Sequence, residues 1–300
     1  MQNSQTNQLI TRNPSTGETL ASLETTPIET IPLFFARARE AQTEWARVPV
    51  SERAAKLRDL REAILDTKSE IATLISRENG KPIFEALANE LFPALDLLTY
   101  YAGHAQKILK GRNIPMGLMK HRRSRLEYHP LGVVAVISPW NYPFLLPIGE
   151  IAPILAAGNA VIFKPSEVTP LIGLKIQELI ERAGFPKGLV QTLVGDGKVG
   201  AAIIAQKPAK IFFTGSVATG KKIMAQASAE LTPVNLELGG KDALIVLEDA
   251  DLDYATSAAL WGGYSNSGQV CASIERILVQ ESIAEPFKKE LTRKISLLRA

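Results

Sequence analysis

The 300 residues are enough for two domains of ordinary size and for a large core that needs no staples. Thirty-four basic residues against 31 acidic ones leave a net charge of +3, too near balance to mark nucleic acid or an anionic membrane as a partner. The single cysteine, Cys271, rules out an intramolecular disulfide and gives no sign of an oxidising compartment.

The polar start, Met1 to Gln8, has no apolar signal core. The most apolar stretch, Tyr142 to Gly158, holds Glu150 and three prolines, a poor membrane span. A cytoplasmic protein is therefore expected. The first 110 residues read as helical. Ser51 reads as an N-cap, followed by a stripe of Leu57, Leu60, Ile64, Ile71, Leu74 and Ile75 that ends at Gly80 and Pro82. A further helix is expected from about Glu85 to Leu109. The basic cluster Lys120, His121, Arg122, Arg123 and Arg125 reads as a solvated strand or arm.

From Leu131 short β-branched runs alternate with helical stretches. Strands are expected at Val133 to Ile137, Ala160 to Phe163, Val190 to Val194, Lys210 to Thr214 and Val234 to Leu238. Helices are expected at Ile148 to Ala157, Pro170 to Arg182, Val199 to Ala205 and Val217 to Ala229. This alternation predicts an α/β fold: a Rossmann-like parallel sheet with helices on both faces. After Gly239-Gly240 come a strand at Ala243 to Val246, a helix around Leu252 to Tyr264, a strand at Arg276 to Gln280 and a last helix from about Ile283. The expected division is residues 1–238 as a dinucleotide-binding domain and 239–300 as the first part of an incomplete α/β catalytic domain.

In such sheets ligands sit beyond the carboxyl ends of the strands. That selects Pro139, Trp140 and Asn141, then Lys164, Ser166 and Glu167, then Gly215 and Ser216. The run from Gly215 to Lys221 has the glycine spacing of a triphosphate P-loop, with Gly220 as its second glycine. Lys222 stands where that motif needs a magnesium-binding hydroxyl, so a metal-free pyrophosphate suits the site better. On spacing alone, a plain strand-to-helix turn is the simpler explanation. No G-x-G-x-x-G follows any strand. Lys164 and Glu167 can hydrogen-bond ribose hydroxyls, and a carboxylate there repels a 2′-phosphate, which favours NAD while leaving NADP open. An exposed ion pair is the alternative.

Three residues carry candidate chemistry. The Asn141 amide can stabilise an oxyanion, or it can cap the following turn. Glu237, between leucines, reads as a desolvated general base or as a solvent-facing strand residue. Cys271 is either a small core residue or a nucleophile. The three histidines lie far from it in sequence, and no grouping has metal-ligand spacing.

Five segments then share one pattern: Ser138 to Phe144, Gly158 to Glu167, Phe213 to Ser216, Leu236 to Lys241 and Gly268 to Cys271. In order and spacing they resemble the aldehyde dehydrogenase superfamily, and Asn13 to Glu18 resembles its opening turn. The resemblance implies that Cys271 attacks an aldehyde while Asn141 and the Cys271 N–H hold the oxyanion. Hydride passes to NAD or NADP, and Glu237 activates water to release the acid. It implies cofactor contacts from Pro139, Trp140, Lys164, Ser166, Glu167, Gly215, Ser216, Gly220, Leu238 and Gly239. Glu237 favours hydrolysis over acyl transfer to coenzyme A. Residues 111–130 resemble the start of a bridging segment, implying a homo-oligomer at full length. The family pattern continues well past Ala300, so a dinucleotide-binding fragment without turnover is the competing expectation.

Overall fold

The computed structural model describes residues 8–119 and 121–298. Met1 to Asn7 of the polar start, and Lys120 of the basic cluster, lie outside the described residues. The chain divides into two compact units, residues 1–237 and 238–300.

The first unit opens with a hairpin where helix was expected. Strand β1 (Gln8–Arg12) pairs antiparallel with β2 (Thr19–Glu24). The turn between them explains the difference. Asn13 Oδ1 accepts from the Ser15 N–H at 2.9 Å, and Gly17 takes φ +74°, a conformation glycine adopts without penalty.

Helices α1 (Ile31–Trp45), α2 (Val50–Asp66) and α3 (Lys68–Asn79) follow. Pro49 occupies the cap position of α2, so Ser51 lies in the first turn and makes no cap. Gly80 ends α3 in the left-handed conformation, as its position after the apolar stripe predicted. The expected helix from Glu85 to Leu109 is interrupted. Helix α4 (Ile83–Glu85) runs into a π-helical stretch, Ala86–Leu91, before α5 (Phe92–Ile108). The wide turn sits just ahead of Pro93, whose missing N–H and bulky ring disrupt an α-helical ladder.

A short antiparallel pair, β3 (Arg112–Ile114) and β4 (Ser124–Leu126), comes next. His121, Arg122, Arg123 and Arg125 around it are exposed. The sheet is then built from β5 (Val133–Ile137), β6 (Ala160–Lys164), β7 (Val190–Thr192), β8 (Lys210–Gly215) and β9 (Val234–Leu238), in the order β7-β6-β5-β8-β9. Neighbours β5–β6, β5–β8 and β6–β7 are parallel. All five residues of β5 and of β6 are buried. Successive strand residues face opposite sides, so both faces of the sheet are covered. The connecting helices are α6 (Leu145–Ala156), α7 (Pro170–Arg182), α8 (Gly197–Ala205) and α9 (Val217–Ser228). The order turns back at β5, with β6 on one side and β8 on the other, which is where such sheets open a crevice.

In the second unit, β10 (Asp242–Val246) pairs parallel with β11 (Ile274–Val279), with α10 (Leu252–Tyr264) between them and α11 (Ala284–Ile295) after. Its core is Val246, Ala255, Ala259 and Phe287. Among the described residues, no helix is long and apolar enough to cross a membrane.

Candidate active site

A cavity of about 550 Å³ opens at the ends of β5, β6 and β8. Pro139, Trp140, Lys164, Ser166, Glu167, Gly215 and Ser216 all line it, so the three post-strand segments chosen from sequence meet in one place. Helix α8 contributes a wall that sequence reasoning missed, through Gly197, Gly200, Ala201 and Ile204. The signal was present in the glycine spacing of Gly195, Gly197 and Gly200, just after β7.

Lys164 is buried, with its Nζ donating to the Pro165 carbonyl at 3.0 Å and lying 3.5 Å from Glu167 Oε2. Burial pushes its ammonium down from the ordinary lysine range, and Glu167 opposes the shift. This is no surface ion pair: the lysine is fixed, while Glu167 keeps about half its side chain open to the cavity side and solvent. Ser216 is the N-cap of α9, its hydroxyl accepting from the Thr219 N–H at 3.2 Å. Gly220 does not line the cavity. It is buried one turn into α9, where its N–H donates to the Ser216 carbonyl at 2.9 Å and so is not free for an anion.

Asn141 follows β5 in the loop that leads into α6. Its backbone carbonyl accepts from Lys81 Nζ at 2.8 Å. Lys81 also pairs with Glu90 at 2.6 Å, and Glu90 Oε2 accepts from the N–H groups of Phe144 (2.8 Å) and Leu145 (3.1 Å). Burial pushes Lys81 down and Glu90 up, and their contact opposes both shifts. Neither residue stood out in the sequence.

Glu237 closes the first unit on β9, the outer strand of the sheet, and it is exposed. Of the two readings of its leucine-flanked position, the exposed side chain matches the solvent-facing one, and Leu236 and Leu238 are themselves only partly covered. Behind it in α6, burial pushes the carboxyl of Glu150 up to about 8. An acid inside so apolar a helix was the available signal.

Leu238 and Gly239 begin the second unit, with Gly239 exposed. Cys271 is exposed as well, so it is no packed core residue. It follows a turn in which Asn266, Ser267 and Gly268 all have positive φ, with Asn266 buried at its centre. Two consecutive non-glycine residues in that region store strain, and such strain clusters at functional turns. A Cβ on Gly240 would stand 3.6 Å from the Cys271 carbonyl oxygen and 2.9 Å from Asp242 Oδ1. Glycine there admits the close approach of backbone and side chain. Among the described residues, no cluster of three or more His, Cys, Asp or Glu groups could hold a metal ion.

The aldehyde dehydrogenase family model matches residues 1–300. A 4,4′-diapolycopene aldehyde oxidase from a Methylomonas species is 43% identical over 265 residues, covering 88% of this chain and 50% of that protein. A crystal structure of an aldehyde dehydrogenase from Brucella melitensis biovar abortus superposes with TM-score 0.94 at 33% identity, over 97% of this chain and 60% of the other. An NAD+ complex of an aldehyde dehydrogenase from Bacillus cereus gives TM-score 0.93 at 35% identity, with the same coverage. The chain thus spans about half the length of the curated relative and three-fifths of these solved ones. Its fold and its full-length family match together establish that this chain belongs to the aldehyde dehydrogenase family.

Proposed function

We propose that the protein oxidises an aldehyde to a carboxylic acid with NAD+ as acceptor, NADP+ being the weaker alternative. The observation that carries this reading is the cavity at the turning point of the sheet, with a buried lysine, a half-open carboxylate and a capped helix start around it. Its volume lies within the ordinary range for ligand sites, about 300–1,000 Å³. The donor set fits a dinucleotide. Lys164 and Glu167 offer a donor and an acceptor to ribose hydroxyls, and the start of α9 offers partial positive charge to a pyrophosphate. Pro139 and Trp140 supply apolar cover on one wall. Ser166 and Gly215 complete the polar rim, and Leu238 and Gly239 are assigned to the cofactor by family resemblance alone.

In the proposed reaction, Cys271 Sγ attacks the carbonyl carbon as a thiolate and forms a thiohemiacetal. The Asn141 amide and the Cys271 N–H donate to the oxygen as negative charge develops on it. The bound dinucleotide supplies the hydride acceptor that leaves a thioester on the sulfur. Glu237 then takes a proton from water as the water oxygen attacks the thioester carbon. The carbon–sulfur bond breaks, the acid leaves and the thiolate is restored. Exposure of Cys271 and of Glu237 is compatible with these roles, since both must meet small molecules. The hairpin of β3 and β4 is proposed as part of a bridging segment between copies in a homo-oligomer. Replacing Cys271 by alanine in the full-length protein tests the assignment. Aldehyde-dependent NADH formation should vanish while dinucleotide affinity persists, and retained turnover removes Cys271 as nucleophile.

A further inference from the structure

We infer that the buried Lys81–Glu90 pair positions Asn141, gripping the segment Asn141–Leu145 by its backbone from both ends. The inference rests on the reading of Asn141 as oxyanion donor.

Asn79 Nδ2 donates to the Trp140 carbonyl at 2.8 Å, and Lys81 Nζ donates to the Asn141 carbonyl at 2.8 Å. The same ammonium donates to Glu90 Oε1 at 2.6 Å and stands 4.2 Å from the centre of the Tyr142 ring. An ammonium has three hydrogens, and two acceptors plus one ring face use all of them. Glu90 Oε2 takes the amides of Phe144, the cap residue of α6, and of Leu145, its first residue. A carboxylate at that helix start also meets the positive end of the helix.

The side chains of Lys81 and Glu90 are 1% and 0% exposed. A buried ion pair of this kind adds little net stability, because desolvation offsets the attraction, and apolar replacements are often equally stable. What apolar groups cannot reproduce is the direction of the bonds. Three bonds from the pair, to the Asn141 carbonyl and the Phe144 and Leu145 amides, and a fourth from neighbouring Asn79 to the Trp140 carbonyl run to the backbone on either side of the Asn141 side chain, so together they set where that amide points. Gly80, at φ +88°, makes the bend that delivers Asn79 and Lys81 to consecutive carbonyls. A structural pair would stabilise the fold wherever it stood; this one is tied to the loop that carries the donor.

The test is a double-mutant cycle in the full-length protein. Lys81→Met with Glu90→Gln leaves no buried charge and keeps an acceptor for the amides of α6, but it releases the Asn141 carbonyl. The expected result is a fall in kcat of at least about tenfold, toward the roughly 10² that losing an oxyanion donor costs, with dinucleotide Kd unchanged. In an Asn141→Ala background the same change should cost nothing further, since coupled residues are non-additive. Asn79→Ala, a milder change, should show a smaller fall with the same non-additivity. Wild-type kcat in the pair variant, or a fall that persists undiminished without Asn141, overturns the inference while leaving the oxyanion reading intact. Wild-type turnover in Asn141→Ala alone removes that reading, and this inference with it.

Discussion

The Thr214 hydroxyl donates to Glu150 Oε1 at 3.1 Å, while Glu150 Oε2 is buried with no hydrogen-bond partner among the described residues. Burial raises this carboxyl to about 8; the threonine bond opposes the shift and the charge of Glu237 adds to it. An acid raised on folding contributes stability in full below its unfolded value near 4.5, and loses it as pH climbs through the folded value. Glu78, raised to about 7 by burial against three hydrogen bonds, acts in the same direction over a lower window. Urea unfolding should therefore show stability declining from about pH 5 to about pH 9. Glu150→Gln should flatten the upper part of that decline. An unchanged slope between pH 7 and 9 in the variant would contradict the assignment.

Gly158 should not tolerate a side chain. It closes α6 at φ +86°, and a Cβ there would collide with Arg53 Nη1 and stand 2.9 Å from Pro130 Cγ. Arg53 is itself buried, so it has little room to retreat. Gly158→Ala should lose at least about 1–2 kcal/mol from the left-handed backbone alone, read as a lowered urea midpoint at constant slope. Gly103 is the control. It lies within α5 with nothing inside 4 Å of its Cβ position, so alanine there should gain up to about 1 kcal/mol. Equal effects at the two sites would refute the steric argument.

Glu167 should set coenzyme preference. Under the proposed reading, its half-exposed carboxylate, beside buried Lys164, would accept from ribose hydroxyls and repel a 2′-phosphate. Solvent screening limits the effect to about 1 kcal/mol, or roughly fivefold. Glu167→Gln should weaken NAD+ by about that factor and narrow or reverse the preference over NADP+. Titration of both coenzymes checks it. Unchanged relative affinity would shift the discrimination to another residue.

Much of the sheet was legible because strands covered on both faces read as unbroken apolar runs, as in Val133 to Ile137 and Ala160 to Phe163. Helix ends marked by Pro170 and Gly80 were legible through φ alone. The hairpin of β1 and β2 was not, since its short strands are mostly exposed and carry little apolar alternation. The cavity residues were found because they follow strands, a positional rule that needs no partner. Glu90 and Lys81 were invisible for the opposite reason. Each acts on a loop 54 to 60 residues further along the chain, and nothing local announces such a contact. Glu237 was open to two readings among its leucines because sequence does not say that its strand lies at the rim of the sheet.

The proposed thioester on Cys271, hydrolysed with the help of Glu237, can be trapped on the protein. Full-length Glu237→Gln protein is mixed with NAD+ and an aldehyde substrate, quenched within the first turnover and mapped by mass spectrometry. A burst of NADH matching the enzyme concentration and an acyl mass added at Cys271 are expected. Steady hydride transfer with no adduct on that sulfur, or an adduct elsewhere, would contradict the thioester.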